Sequence, residues 1–300
     1  MYGLTLFLVT CLPLAADAGA PASPFAFRDV DGTGLELTEG GQRVFVYNYG
    51  QILARGAAED RRRGCYLAPV CTPGGTTITD DFNPDHPHHR GISWMWQDIT
   101  VGGKKGDIWT LAGFKLKHVG WLAQETGERT ARLAVENGWY DGDKRFVKET
   151  VTITVHAAEQ SRRVMDFVIT EEALDEPVTI VGTAEGKKGF GGFGFRFAPR
   201  DGGAAKTVIT TDAGEQKADR VLAPAAWAQI TGTFAGKPAG GRIDDDPTNP
   251  GYPKTGWLLR HGFGFLNPSY PALTPLVLEK GKPMTLKYRV TVWDGEAAPE

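Results

Sequence analysis

The stretch ETVTITVH, residues 149–156, carries the period that decides the fold. Val151, Ile153 and Val155 share one face, and Thr150, Thr152, Thr154 and His156 share the other. That two-residue period belongs to a half-buried β-strand. LKYRVTVW, residues 286–293, repeats it with Leu286, Tyr288, Val290 and Val292 inward. RVFVYNYG, RVMDFVIT, PVTIVGTA and FGFRFAP read as further strands. Turn signals separate them: Asp31-Gly32, Pro73-Gly74-Gly75, Asn137-Gly138, Asp141-Gly142 and Asp201-Gly202-Gly203. No segment carries a long, capped helical period. The pattern predicts an all-β chain: a large, mostly antiparallel two-sheet β-sandwich with few short helices. No linker interrupts it, so residues 19–300 are expected to form one domain. The one long loop is expected at residues 234–256, FAGKPAGGRIDDDPTNPGYPKTG.

Composition narrows the function classes. The chain has 300 residues, 41% hydrophobic and 23% charged, with a net charge of −3. A nucleic-acid partner would demand a clustered basic face, which this balance argues against. Residues 1–18 end an apolar run in Ala16-Asp17-Ala18, a small-x-small cleavage pattern, so a removed signal peptide and a secreted or periplasmic protein are expected. No later stretch approaches the roughly 20 apolar residues of a membrane span. Cys11 would leave with the signal. Cys65 and Cys71 sit six positions apart, about 20 Å along an extended strand, so two separate thiols are expected rather than a bond.

The richest chemistry lies in DFNPDHPHHRGISWMW, residues 81–96, where three of the six histidines fall together. Pro87 excludes a helix. An extended backbone would point His86 and His88 one way and His89 the other. Such a pair can grip a divalent metal if a third ligand joins it. It can equally do acid–base work, with Asp81 or Asp85 orienting a ring. Or the imidazoles simply hold a loop crossing. Arg90 offers a planar fork for a carboxylate or sugar hydroxyls. Trp94 and Trp96 share a strand face, and either could be a stacking platform or core. Trp109, Trp121, Trp139, Trp227, Trp257 and Trp293 are the other candidate platforms.

Two further clusters matter. IDDDPTNPGYPKTGWLLRHGFGFLNP brings Asp244, Asp245, Asp246, Asn249, Trp257, Arg260 and His261 close in sequence, a palette suited to polyhydroxyl ligands. KKGFGGFGFRFAP interleaves glycine with phenylalanine. No helix follows it, so it is not a nucleotide loop. Arg196, between Phe195 and Phe197, faces opposite to both and needs a polar partner if it meets a pocket.

Taken in order, YLAPVCTPGG, DHPHHRGISW, GFGFRFAP, DDDPTNPGYPKTGWLLRHGFGFLNP and LEKGKPMTLKYRVTVWDG resemble the secreted bacterial "methane oxygenase PmoA-like" family, across most of the mature chain. Where that pattern is expected to read DHPSNP, this chain reads DDPTNP, so Asp246 stands in place of a histidine. The label does not imply methane monooxygenase chemistry, whose membrane subunit is built from transmembrane helices. The resemblance implies a galactose-mutarotase-like supersandwich layout, with sugars bound in a concave face by His, Arg, acidic and Trp side chains.

The expected function is that of a secreted carbohydrate-active protein, an enzyme (hydrolase, lyase or epimerase) acting on a sugar or glycoside. Its catalytic candidates are His86, His88, His89 and Asp85. Arg90, Trp94, Arg196, Asn249, Trp257 and Arg260 are the substrate-binding candidates. No cofactor, nucleic acid or membrane span is expected. Two alternatives stay open: a non-catalytic carbohydrate-binding protein, and a cupin-like metalloprotein using His86 and His88.

Overall fold

A computed structural model describes residues 23–53, 56, 58–84 and 86–297. The expected signal peptide with Cys11, and the catalytic candidate Asp85, lie outside the described residues.

Two nine-stranded sheets face each other. The first runs in the order Phe25–Val30, Gly34–Glu39, Gln42–Asn48, Tyr66–Val70, Ile92–Met95, Gly192–Arg196, Phe265–Ser269, Gly256–Arg260, Arg220–Pro224. The second runs Gly214–Gln216, Val208–Thr211, Trp227–Phe234, Lys237–Asp245, Met284–Asp294, Arg162–Ala173, Lys144–His156, Thr130–Asp141, Lys115–Thr126. A smaller sheet joins Leu276–Leu278, Val178–Val181, Asp98–Val101 and Lys104–Gly106. Neighbouring strands in all three pair antiparallel. Helix among the described residues is confined to short 3-10 turns, Glu59–Arg61, Glu185–Lys187 and Gly203–Lys206. The all-β sandwich expected from the period-2 segments is the observed architecture.

The two-residue period fixes which side chains meet. Val151, Ile153 and Val155 are fully buried, and pair in register with Ile169, Phe167 and Met165. Across the sandwich Phe193 stacks on Tyr288 at 4.5 Å and meets the edge of Phe167 at 5.2 Å. Each such ring, taken out of water, stabilises the fold by about 1.5–3 kcal/mol.

The same alternation also sends charge inward. Glu149 and Glu171 stand opposite each other in register, both fully buried. Glu149 is well supplied: Trp94 Nε1 donates at 2.9 Å, Trp139 Nε1 at 3.0 Å and Asn137 Nδ2 at 2.8 Å. Glu171 has no hydrogen-bond partner at either oxygen among the described residues. Burial, then the Glu149 charge, pushes its carboxyl well above the usual range.

Two local expectations are corrected. Asn137-Gly138 lies inside the strand Thr130–Asp141, not in a turn. The Asn137 side chain is drawn into the core by Glu149 and by Tyr47, which outweighs the turn preference of the dipeptide. The expected loop 234–256 keeps its irregular part only at 246–255 and the turn 235–236, while Lys237–Asp245 pairs with Trp227–Phe234 on one side and Met284–Asp294 on the other. Its glycines are functional there, because a Cβ at Gly240 would strike the Trp293 ring.

Candidate functional site

The segment 80–91 links Tyr66–Val70 to Ile92–Met95 and is irregular because Pro84 and Pro87 interrupt it. It is closed by backbone bonds from His86 N to Asn83 O, 3.2 Å, from His89 N to His86 O, 3.0 Å, and from Gly91 N to Asp80 O, 2.8 Å. Gly91 has φ +46, and a Cβ there would overlap the Leu67 carbonyl oxygen, so the close crossing requires glycine.

Arg90 locks this loop from within. It is 1% exposed. Its Nε donates to Pro87 O at 2.6 Å, and a terminal nitrogen donates to Arg61 O at 2.7 Å. The guanidinium also pairs with Asp81 at 3.4 Å and lies over the Phe82 ring. Burial raises the Asp81 carboxyl despite that pair.

The turn at Pro87-His88 breaks the alternation an extended backbone would impose. All three imidazoles therefore line one cavity of about 360 Å³, together with Trp109, Phe190, Phe263 and Arg260. Gln97, Thr110, Glu185, Lys188 and Leu258 complete its wall. His89 is the innermost, stacked on Phe265 at 4.6 Å and edge-on to Trp109 at 5.5 Å. His86 stacks on His89 at 4.9 Å and on Phe263 at 4.5 Å. His88 stands edge-on to His89 at 4.4 Å.

Burial, reinforced by Arg63, His86, Arg61 and Arg196, holds His88 down at about 4. Burial and the neighbouring His88, His86, Arg196 and Arg63 push His89 well below the ordinary imidazole value. Both rings are therefore neutral at pH 7, each with one nitrogen free to accept a proton.

Three wall residues carry a buried polar atom that has no hydrogen-bond partner among the described residues: Nδ1 of His89, Oε1 of Gln97 and Nε1 of Trp109. An unmet buried donor or acceptor costs about 1–3 kcal/mol. Among the described residues no group of three or more His, Cys, Asp or Glu side chains is placed to hold a metal ion.

A second cavity, about 300 Å³, adjoins the first at Phe263 and is lined by Asp80, Asn83, Arg196, Pro199, Arg200 and Gly262. Arg196 Nε and a terminal nitrogen donate to Asp80 at 3.4 Å, and its guanidinium lies over the Phe263 ring at 4.8 Å. A larger hollow, about 590 Å³, opens beside Gln97, but neither histidine nor aromatic side chains line it.

The expected binding residues divide sharply. Arg260 lines the histidine cavity and Arg196 the adjoining one. Trp94 and Trp257 are core: their indoles donate to Glu149 and to Ala225 O, and neither lines the cavity. Asn249 is buried elsewhere and fastens a turn, donating to Asp245 at 2.7 Å and to Lys287 O at 2.6 Å. Gln97, Thr110, Glu185, Lys188, Phe190 and Phe263 were not singled out in the sequence. Phe263 lies two positions after His261 in RHGFGF, and that nearness was the available signal.

Residues 34–300 match the model of DUF6807, a family of unknown function, and the chain belongs to that family. This corrects the resemblance to PmoA-like proteins, which the match does not support. No curated protein sequence matches the chain. Among solved structures, a heparan sulfate lyase HepC mutant from Pedobacter heparinus superposes with TM-score 0.42 at 9% identity. The alignment covers 94% of this chain and 37% of that one, so this chain spans little more than a third of the lyase. A putative mutarotase, YeaD, from Salmonella typhimurium gives 0.40 at 10% identity, covering 90% and 94% of the two chains. A GalM/aldose epimerase homologue from C. elegans gives 0.36 at 7% identity, covering 92% and 100%. Superpositions this loose decide nothing about chemistry.

Proposed function

We propose that this member of DUF6807 is an exported carbohydrate-active enzyme that binds a sugar or glycoside in the histidine cavity and acts on it by acid–base catalysis. The observation that carries the reading is the set of unmet atoms in the cavity wall. Trp109 Nε1 is a donor and Gln97 Oε1 an acceptor, both buried and both without a partner among the described residues. Sugar hydroxyls donate and accept alike and would serve both. Phe190 and Phe263, both partly exposed, supply apolar faces for the ring of a pyranose. A space of about 360 Å³ lies within the ordinary range for small-ligand sites.

His88 is the candidate general base. It is half-buried and neutral, and an imidazole in that state takes a proton from a substrate carbon or hydroxyl and becomes imidazolium. Glu185 and Lys188, an ion pair at 3.1 Å on the same wall, are candidates to return a proton to the leaving oxygen. His86 and His89 support His88 by packing, and Arg90 keeps the loop in place.

The test is a panel of glycosides and free sugars incubated with the purified full chain. Reducing ends, unsaturated products and anomer interconversion are read in parallel. His88→Gln should abolish turnover while sugar binding persists. Binding without turnover in the wild type would instead make the protein a carbohydrate-binding protein.

A further inference from the structure

The charge around the histidine cavity carries a statement about its ligand. Four buried guanidinium groups lie behind this cavity or line the one that adjoins it, and they are not alike. Arg90 and Arg196 have carboxylate partners in Asp81 and Asp80. Arg63 and Arg200 are held by neutral acceptors. Arg63, 2% exposed, donates to the carbonyls of Ile108 and Trp109, directly behind the Trp109 wall. Arg200, 5% exposed, donates to Thr207 Oγ1 at 3.0 Å and to the carbonyls of Ala198, His261 and Gly262 at 2.7–2.9 Å. Carbonyls satisfy hydrogen bonds but do not cancel charge; Asp107 and Asp81 act on Arg63 and Asp80 on Arg200, yet burial still holds the two guanidiniums down at about 9 and about 10, so their positive charge is only partly offset. The imidazoles report that charge: after burial, His88 is lowered by Arg63, His86, Arg61 and Arg196. Arg260 and Lys188 add positive side chains to the wall itself, Lys188 paired with Glu185 at 3.1 Å and Arg260 with Asp219 at 3.8 Å.

We propose that the ligand of this cavity is an anionic sugar, a pyranose bearing a carboxylate or a sulfate. Buried positive charge is costly where its counter-charge is incomplete. A bound anion supplies one, whereas a neutral sugar of the same shape leaves the cost in place. The inference rests on the sugar reading above and adds the charge class of the substrate.

Isothermal titration calorimetry with the full chain tests it, using glucuronate, glucose 6-sulfate and glucose, and galacturonate against galactose. At 50 mM salt at least one anionic sugar should bind tenfold or more tightly than its neutral parent. The gap should shrink severalfold at 500 mM salt, and in Lys188→Gln and Arg260→Gln. The carboxylate and sulfate arms identify which anion is preferred. A neutral parent that binds as tightly as, or more tightly than, every anionic form overturns the proposal and leaves the sugar reading standing. No binding by any sugar of either charge overturns both.

Discussion

Replacing Glu171 by Gln should make the fold less sensitive to pH, by an amount that follows from its burial. Glu171 is fully buried, faces Glu149 across the strand pair, and lies near enough to Tyr288 to raise that phenol too. Its carboxyl is raised well above 4.5 in the fold, so it stays protonated there while the unfolded chain ionises. The sign is that of a raised acid. Its contribution to stability is fully present below 4.5, the unfolded value, and is lost as pH rises toward the folded value. The loss is about 1.4 kcal/mol per pH unit, hence about 3 kcal/mol over two units. Glutamine keeps the shape and cannot titrate. Its unpartnered amide adds a constant cost of about 1–3 kcal/mol, which does not alter the slope. Glu149 and Tyr288 are present in both proteins and largely cancel. Urea unfolding followed by tryptophan fluorescence at pH 5, 6, 7 and 8 reads the difference directly. The stability of Glu171→Gln relative to wild type should improve as pH rises from 5 to 7, by up to about 3 kcal/mol. Parallel curves, with a difference independent of pH, would refute the buried protonated state.

Other outcomes follow from the site. If His88 is the base, kcat/KM should hold steady from pH 7 down to about 5 and fall only near pH 4, where the ring protonates; an acidic limb near 6.5 would reject that role. Gly91→Ala should destabilise the protein by on the order of 3 kcal/mol, because left-handed backbone and a clash with Leu67 combine; a thermal midpoint within a degree of wild type would contradict the close crossing. Cys65 and Cys71 are free thiols, 2% and 4% exposed, and burial pushes both upward. Neither should react with a thiol reagent in the native protein, and both should react in denaturant; rapid native labelling of either would count against this packing.

The sandwich was legible because its signal is local. Alternation in ETVTITVH and LKYRVTVW states both the strand and its buried face, and tertiary contacts only ratify it. The same alternation, followed one position further, reaches Glu149, and in RVMDFVITEEA it reaches Arg163 and Glu171 as inward residues. Composition hides this, since a glutamate in a strand is ordinarily outward. The site was legible in part. Three clustered histidines marked a loop that lines a cavity, yet their orientation depended on the Pro87 turn. Trp94 and Trp257 could not be told from surface platforms, because what decides is which partner claims the indole N–H: Glu149 and Ala225 lie 55 and 32 residues away in sequence. Gln97 and Lys188 reach the cavity from separate connecting segments, and no spacing rule anticipates that meeting.

Phe263 has one more consequence. It borders both the histidine cavity and the arginine-lined space beside it, with His86 stacked on its ring and Arg196 lying over it. Glycines flank it on either side in the sequence, so the backbone places little bulk around the ring. The partition is thus one aromatic ring thick, and moving that ring away from a rotamer minimum costs on the order of 1 kcal/mol. Under the proposed sugar reading, a ligand confined to the histidine cavity would leave the ring where it is, and one reaching through to Arg196 and Arg200 would have to turn it. Ligand length would then be gauged by the position of a single side chain.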